Sequence, residues 1–434
     1  MLTEITVNNF RNLKNVSIQP SLVTLLIGPN NSGKSGIFHS LLVLQQSFSH
    51  DSLADRLEFS DQLVNLGSRK EVVFEHDESN DIEISISGVF NATSYTEGEV
   101  KSDGIFIYKA ISSQNGNGFE MLVNIDDLSC QVIKNHQVRE INSGMGDKQA
   151  NFNFLNERGI GFNLTTGDDK LRKYLKLIST EFVSKYLNKL FFVPVPRGIG
   201  EFKTETLNTK SRQLVTSLGV SELTKNLLSS LAYDNDLVDK ISTFMEKLFG
   251  KKIRYSLLPS TLGLYQGYRQ TEGAIHGTVD FYDSKIRAFA SNTGFGSNQI
   301  LFMFTQLLDC PKGSTVLIEE PEISLHPSAQ KELVDILIEI AKSQNKQLII
   351  SSHSEHIAFA LFRARDEGTL GKEELRVYSF TQAKDSKYSS VEEIENLHDS
   401  LKAFLGNDPS LILQYIEAFG KKDEWLEKGT VTSS

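Results

Sequence analysis

Cysteine is almost missing from the chain: Cys130 and Cys310 are the only two in 434 residues. Neither has a CxxC companion or a Cys/His partner at metal-ligand spacing, so both are read as buried small apolar residues of a protein from a reducing compartment. No apolar stretch approaches the roughly 20 residues that span a bilayer, and the N-terminus has no basic and apolar signal segment. A soluble cytoplasmic protein with no membrane partner is expected. Positive charge is not in excess either. With 45 Lys and Arg against 55 Asp and Glu the net charge is −10, which excludes a general polyanion binder but leaves room for a local basic groove. Repeats, low-complexity tracts and the sustained heptads of a long coiled coil are absent, and the length suits two or three domain-sized units.

What the chain does contain is an apolar run that breaks into a Gly-rich turn and then a helix-compatible stretch. Residues 24–35 read TLLIGPNNSGKS, and the pattern GxxxxGK[ST] occupies 28–35. Gly28 and Gly33 let the backbone turn tightly around an anion, with successive N–H groups of Asn30, Asn31, Ser32 and Gly33 pointing inward and Lys34, Ser35 and Gly36 following. The helix over 34–48 adds the positive end of its dipole. Lys34 can reach the β- and γ-phosphates of a nucleotide, and the Ser35 hydroxyl can bind the Mg²⁺ that bridges them.

Around this loop the patterning changes several times. Residues 2–18 alternate as strand, turn, strand, and short alternating runs at 81–90, 104–110, 120–125 and 130–134 read as an antiparallel β-lobe. Residues 136–166 have few apolar anchors and are expected to be irregular. An amphipathic helix is expected over 168–190, an apolar strand from Phe191 ended by Pro194 and Pro196, and a helical block over 211–249. Strands follow at 253–258, 264–269, 278–283 and 286–290. The chain then alternates helix 298–308, strand 314–318, helix 327–343 and strand 347–351, the parallel half that the phosphate-loop strand must join. The fold class is therefore α/β, with a mixed or parallel core sheet, an antiparallel β-lobe and an inserted helical region. The expected division is 1–165, the N-terminal half of the head; 166–250, the helical insertion; 251–390, the C-terminal half; and 391–434. That acidic last stretch is either a helical cap on the core or a partner surface.

Three further segments carry chemistry. Residues 315–320, TVLIEE, form an apolar run ending in two carboxylates at the sheet edge where α/β proteins place ligands. Glu319 would orient the water shell of Mg²⁺ and Glu320 would act as base on the attacking water; the alternative is a solvated surface pair. Residues 347–354, QLIISSHS, deliver His353 beside the same edge, where an imidazole can bond a γ-phosphate or the attacking water. The alternative there is a satisfied loop histidine, and His356 is placed in the first turn of the next helix. Residues 291–299, SNTGFGSNQ, form a second helix N-terminus fit for an anion, or an ordinary capped helix start. One chain needs one phosphate loop, so the second would serve a nucleotide held by another subunit.

These pieces, in this order, resemble the ABC-type P-loop NTPase heads of the SMC and RecF kind. Within that class they look most like stand-alone AAA ATPases related to the OLD (overcoming lysogenisation defect) nucleases and to the Septu and Gabija defence ATPases. The matching segments are NNFRNL at 8–13, the loop at 28–35, GFGSNQ at 294–299, LIEEPEISLHP at 317–327 and IISSHSEH at 349–356, with LVNLGS at 63–68 and VPVPRG at 193–198. The resemblance implies a head that binds ATP and Mg²⁺ and forms a homodimer or higher homo-oligomer with the nucleotides sandwiched between subunits. Lys34 and Ser35 would bind phosphate and Mg²⁺, Glu319 would help hold the metal, Glu320 would be the base and His353 the switch histidine. Gly296, Ser297 and Asn298 would meet the γ-phosphate across the dimer, and Gln62 is the candidate Q-loop glutamine near the metal. Two departures stand out: Glu319 replaces the usual aspartate, and the signature lacks the LSGGQ order.

SMC proteins separate the two halves by long coiled coils, where this chain has hairpins and short helices. OLD and Gabija ATPases continue into a TOPRIM nuclease domain, and no clustered acidic metal motif follows His353 here. The resemblance thus implies a slow ATPase that controls a separate nuclease effector, of HNH or TOPRIM type, in antiphage defence. Two other readings remain open. One is a DNA-binding repair or chromosome-maintenance ATPase, with Lys170, Arg172, Lys173, Lys176, Lys185 and Lys189 on one helix as a basic stripe. The other is a scaffold that binds ATP and barely hydrolyses it.

Overall fold

The strand Val23–Ile27 is buried at all five positions, so it needs cover on both faces and a partner on both edges. Gln347–Ser352 and Leu375–Thr381 supply the edges, both in parallel pairing. Among the described residues this sheet has six strands in the order Leu190–Val193, Thr315–Glu319, Gln347–Ser352, Val23–Ile27, Leu375–Thr381, Ser390–Glu393, parallel except for the last. The structure is a computed structural model and describes residues 1–49, 57–61, 63–91, 103–125, 128–134, 139–143, 152–155, 161–164, 187–195, 231, 234–259, 275–282, 287–289, 294–382, 387–397 and 399.

Both faces of this sheet are covered, each by a different layer. Val23, Leu25, Ile27, Val316, Ile318, Leu348 and Ile350 belong to one core, shared with the helices Asn235–Phe249, Phe295–Asp309, Pro327–Ser343 and Glu355–Asp366. Leu26, Leu317 and Ile349, at the alternate positions, belong to a second core with the helix Lys34–Ser49 and an antiparallel sheet. Among the described residues that sheet has seven strands in the order Leu13–Ile18, Leu2–Phe10, Ile82–Asn91, Asp103–Ser113, Gly116–Ile125, Leu128–Lys134, Arg139–Ser143. The α/β class, the mixed core sheet and the antiparallel lobe are thus as expected. Cys310 is buried, and no helix among the described residues is long and apolar enough to cross a membrane.

The differences from expectation are local. Residues 136–166 are not wholly irregular: Arg139–Ser143 extends the lobe, and Phe152–Leu155 pairs with Gly161–Leu164. Their backbones find ladder partners on a neighbouring strand, a tertiary effect that polar sequence conceals. A one-turn helix, Arg69–Val72, starts at Ser68, whose N–H donates to Glu71 Oε2 at 2.5 Å. Helix Asn235–Phe249 is capped by Asp234 Oδ1, which accepts from Leu237 N–H at 2.9 Å, and is stopped by Gly250 at φ 67°. The helix expected over 168–190 up to residue 186, the strand at 264–269 and the tail beyond 399 lie outside the described residues.

One polar contact fastens the first hairpin to the phosphate-loop helix. Arg11 Nη1 donates to His39 Nδ1 at 2.7 Å, which requires an uncharged ring, and burial together with Arg11 lowers the His39 pKa to about 4. The unfolded chain would protonate His39 near the ordinary 6.5, whereas the folded protein resists until about 4. The stability that His39 contributes is therefore complete above 6.5 and declines as pH falls from 6.5 to about 4. In His39→Gln, which keeps an acceptor that does not titrate, thermal melts should show a shallower fall of Tm across that window. Parallel pH profiles for the two proteins would refute it.

Candidate functional site

The register of three adjacent strands decides where the chemistry meets. Ile27 lies opposite Ser352, and Ser351 opposite Glu319, so the residues that follow each strand leave the sheet at one edge. Those residues are Gly28, Glu320 and His353. The loop at 28–33 turns through Gly28 at φ 143° and Gly33 at φ 102°, regions closed to side chains. A Cβ on Gly28 would overlap the Phe380 carbonyl oxygen, and one on Gly33 would lie 2.7 Å from Ser389 Oγ and 2.8 Å from Leu13 Cδ2. The loop is thus wedged between the first hairpin and the end of the core sheet. Asn12 joins these walls: its Nδ2 donates to the Asn31 carbonyl and to Ser389 Oγ, both at 2.9 Å. Asn12 and Ser389 carried no sequence signal beyond Asn12 falling within NNFRNL.

Charge is concentrated inside this frame. Lys34 is only 5% exposed, and its Nζ donates to the carbonyls of Gly28 at 2.8 Å and Pro29 at 2.9 Å. Burial brings its pKa down to about 8 against the opposing pull of Glu320, Glu322 and Glu319. Ser35 Oγ donates to Glu319 Oε1 at 2.8 Å, and the other carboxylate oxygen accepts from Val195 N–H at 3.4 Å. Glu320 has φ 42°, a left-handed conformation that costs a non-glycine residue on the order of 1–2 kcal/mol. Its Oε1 lies 3.2 Å from His353 Nε2. The His353 pKa is lowered by burial and by Lys34, only partly restored by Glu320, so the ring is uncharged at neutral pH.

The residues present fit a nucleotide and a divalent cation. Ser32 Oγ is buried in the loop with no hydrogen-bond partner among the described residues, an acceptor-shaped gap that a phosphate oxygen would fill. Ser35 and Glu319 offer hard oxygens. Mg²⁺ with phosphates and waters needs only one or two protein ligands, in keeping with the lack of any cluster of three His, Cys, Asp or Glu metal ligands among the described residues.

The sequence-derived residues are not all brought together. Lys34, Ser35, Glu319, Glu320 and His353 form one cluster. Gly296, Ser297 and Asn298 sit in the first turn of Phe295–Asp309, where Ser297 Oγ donates to the Gly294 carbonyl at 2.9 Å and a Cβ on Gly296 would lie 2.6 Å from the Ser324 carbonyl oxygen. His356 is in the first turn of Glu355–Asp366, as expected. Gln62 lies outside the described residues, as do Lys170, Arg172, Lys173, Lys176 and Lys185; Lys189 is exposed. Sequence reasoning missed Glu322, whose Oε1 accepts from Ser352 Oγ at 2.7 Å and from His353 N–H at 2.8 Å. Its signals were its place inside LIEEPEISLHP and a carboxylate between Pro321 and Ile323, where the strand's apolar run had already ended.

The wedge around the loop gives a measurable consequence. Gly33→Ala should lower the unfolding free energy by about 2 kcal/mol, because the new methyl meets both strain and contact. Denaturant titration of the two proteins checks it, and coincident curves would mean the loop relaxes freely.

A family model described as AAA ATPase domain matches residues 1–358. No curated protein matches the chain. Among solved structures the chain is similar to an SMC head bound to the C-winged helix domain of ScpA, at 13% identity and TM-score 0.46, covering 91% of this chain and 98% of that one. It is similar to the SMC head domain from Thermotoga maritima at 10% identity and TM-score 0.39, covering 91% and 99%. An SMC head with an extended coiled coil, bound to the C-terminal domain of ScpA derived from Pyrococcus furiosus, is similar at 11% identity and TM-score 0.44, covering 96% and 99%. The family match takes in the phosphate loop, the Glu319–Glu320 pair and His353, and the chain belongs to the AAA ATPase domain family.

Proposed function

We propose that this chain is a Mg²⁺-dependent ATPase of ABC type whose heads pair on ATP and act as a switch. The observation that carries the reading is the single cluster of Lys34, the Ser35–Glu319 bond and the Glu320–His353 contact at one edge of the core sheet. Residues 28–36 would cradle the phosphates with backbone N–H groups, and Lys34 would turn from the loop carbonyls toward the β- and γ-phosphates. Ser35 and Glu319 would hold Mg²⁺, which supplies neutralising charge at the phosphates when bound. Glu320 would accept the proton of the attacking water, and the neutral His353 would orient that carboxylate and contact the γ-phosphate end. Gly296, Ser297 and Asn298 would serve the nucleotide of a second copy; their position on a separate helix start supports that role. The head would then comprise 1–165 and 251–390 together with Leu190–Val193, Asn235–Phe249 and Ser390–Glu393, which share its core sheet and apolar core, so the expected separation of 166–250 and 391–434 from the head is corrected at those elements.

The wider role rests on the motif resemblance alone: ATP state would restrain or release a separate nuclease effector in antiphage defence. Lys34→Ala should abolish ATP binding in calorimetry. Glu320→Gln should bind ATP like the wild type, fail to turn it over and accumulate as a dimer on gel filtration with ATP. Wild-type turnover by Glu320→Gln would remove Glu320 as the base. Co-expression with the product of the neighbouring gene should reduce phage plating, and protection that survives Lys34→Ala would rule out ATP control.

A further inference from the structure

One carboxylate beside the site has no part in this reading. Glu322 is partly exposed as a residue but enclosed at its carboxyl group, and Oε2 has no hydrogen-bond partner among the described residues. Burial raises its pKa. An enclosed carboxyl with one oxygen unbonded is a poor stabiliser, since leaving a buried polar atom unpaired costs on the order of 1–3 kcal/mol. What the group does accomplish is directional. Its Oε1 accepts from Ser352 Oγ at 2.7 Å and from His353 N–H at 2.8 Å.

Those bonds act where the sheet has just ended. Ser352 opposite Ile27 is the last pair of the Gln347–Ser352 ladder, so His353 N–H has lost strand support and Glu322 takes its place. The next residue is tied to the same region. Ser354 N–H donates to Ser352 Oγ at 2.9 Å, Ser354 Oγ donates to Gln330 Oε1 at 2.5 Å, and Gln330 Nε2 donates to the Leu325 carbonyl at 3.0 Å. Residues 352 and 354, on either side of His353, are therefore both fastened to the segment 322–330. The ring between them has its Nε2 3.2 Å from Glu320 Oε1. Reactive geometry tolerates displacements of well under about 1 Å before rates fall steeply.

We infer that Glu322 is a positioning residue for hydrolysis: its carboxyl oxygen holds the His353 backbone so that the imidazole stays in register with Glu320. The inference rests on the ATPase reading. Glu322 acts through His353 and touches no reacting atom.

The test is a mutant cycle on the full chain, reading kcat and the ATP dissociation constant for the wild type, Glu322→Ala, Glu322→Gln, His353→Ala and the Glu322→Ala/His353→Ala double variant. Glu322→Ala should lose at least about tenfold in kcat while ATP affinity changes by less than about threefold. The amide oxygen of Glu322→Gln can accept the same two bonds, so that variant should recover turnover to within about threefold of the wild type. In the His353→Ala background, Glu322→Ala should add less than about twofold, because the group it positions is gone.

Full turnover in Glu322→Ala would overturn the inference, as would an equal loss in the His353→Ala background. A Glu322→Gln protein as slow as Glu322→Ala would do the same by showing that charge, and not bonding, is what matters. Should Glu322→Ala not fold, Ser352→Ala removes one of the two bonds and the tie to Ser354. It should lose about three- to tenfold in kcat on the wild-type background and nothing further beside His353→Ala; no loss on the wild-type background overturns the inference. A wild-type protein that binds ATP without any turnover would overturn the ATPase reading and this inference with it, whereas a defect-free Glu322→Ala overturns the inference alone.

Discussion

Parallel pairing of Thr315–Glu319, Gln347–Ser352 and Val23–Ile27 is the constraint on which the site depends, because three loops from distant parts of the chain leave the sheet at one edge only in that register. A slip of one residue would exchange the two faces of a strand, exposing Leu25 or Ile350 to the wrong core. The register also has a polar pin at the opposite end. Gln347 Oε1 accepts from Leu2 N–H and Thr315 Oγ, both at 3.0 Å, and its Nε2 donates to the Leu2 carbonyl at 2.8 Å. A single buried amide thus joins the first strand of the lobe to two strands of the core sheet.

At the working edge the balance of charge is strained in the opposite sense. Lys34 is dehydrated and held by carbonyls, with three carboxylates around it that partly offset the loss of water. The same enclosure pushes Glu322 upward against the hydrogen bonds it accepts from Ser352 and His353, and pushes His353 downward, so burial is the largest influence at all three groups. The left-handed Glu320 adds backbone strain at that point. On the proposed reading, a phosphate arriving between Lys34 and the helix start replaces carbonyls with full charge and relieves part of this cost.

Much of this was legible in the sequence because it lies in local pattern. The glycines of 28–33, the helix at Pro327–Ser343 and the apolar strand that stops at Glu319 follow from spacing, propensity and the chemistry of a phosphate loop. The contacts that place the groups were not legible. Asn12 meets Ser389, Arg11 meets His39 and Glu322 meets His353 across separations that no periodicity encodes, and polar side chains satisfied by distant backbone look like surface residues in a sequence. The strands within 139–164 were hidden for a related reason, since a ladder partner determined them and their own residues did not.

The placement of Val23–Ile27 between Gln347–Ser352 and Leu375–Thr381 also governs how the chain must be made. The two neighbours leave the ribosome roughly 320 and 350 residues after the central strand, a delay of about 16 to 70 s at bacterial or eukaryotic elongation rates. Throughout that interval an apolar strand buried on both faces in the finished protein has two open edges and half its cover. The nascent chain thus carries an unpaired apolar strand long before either partner exists, a state in which edge pairing with other chains competes with folding.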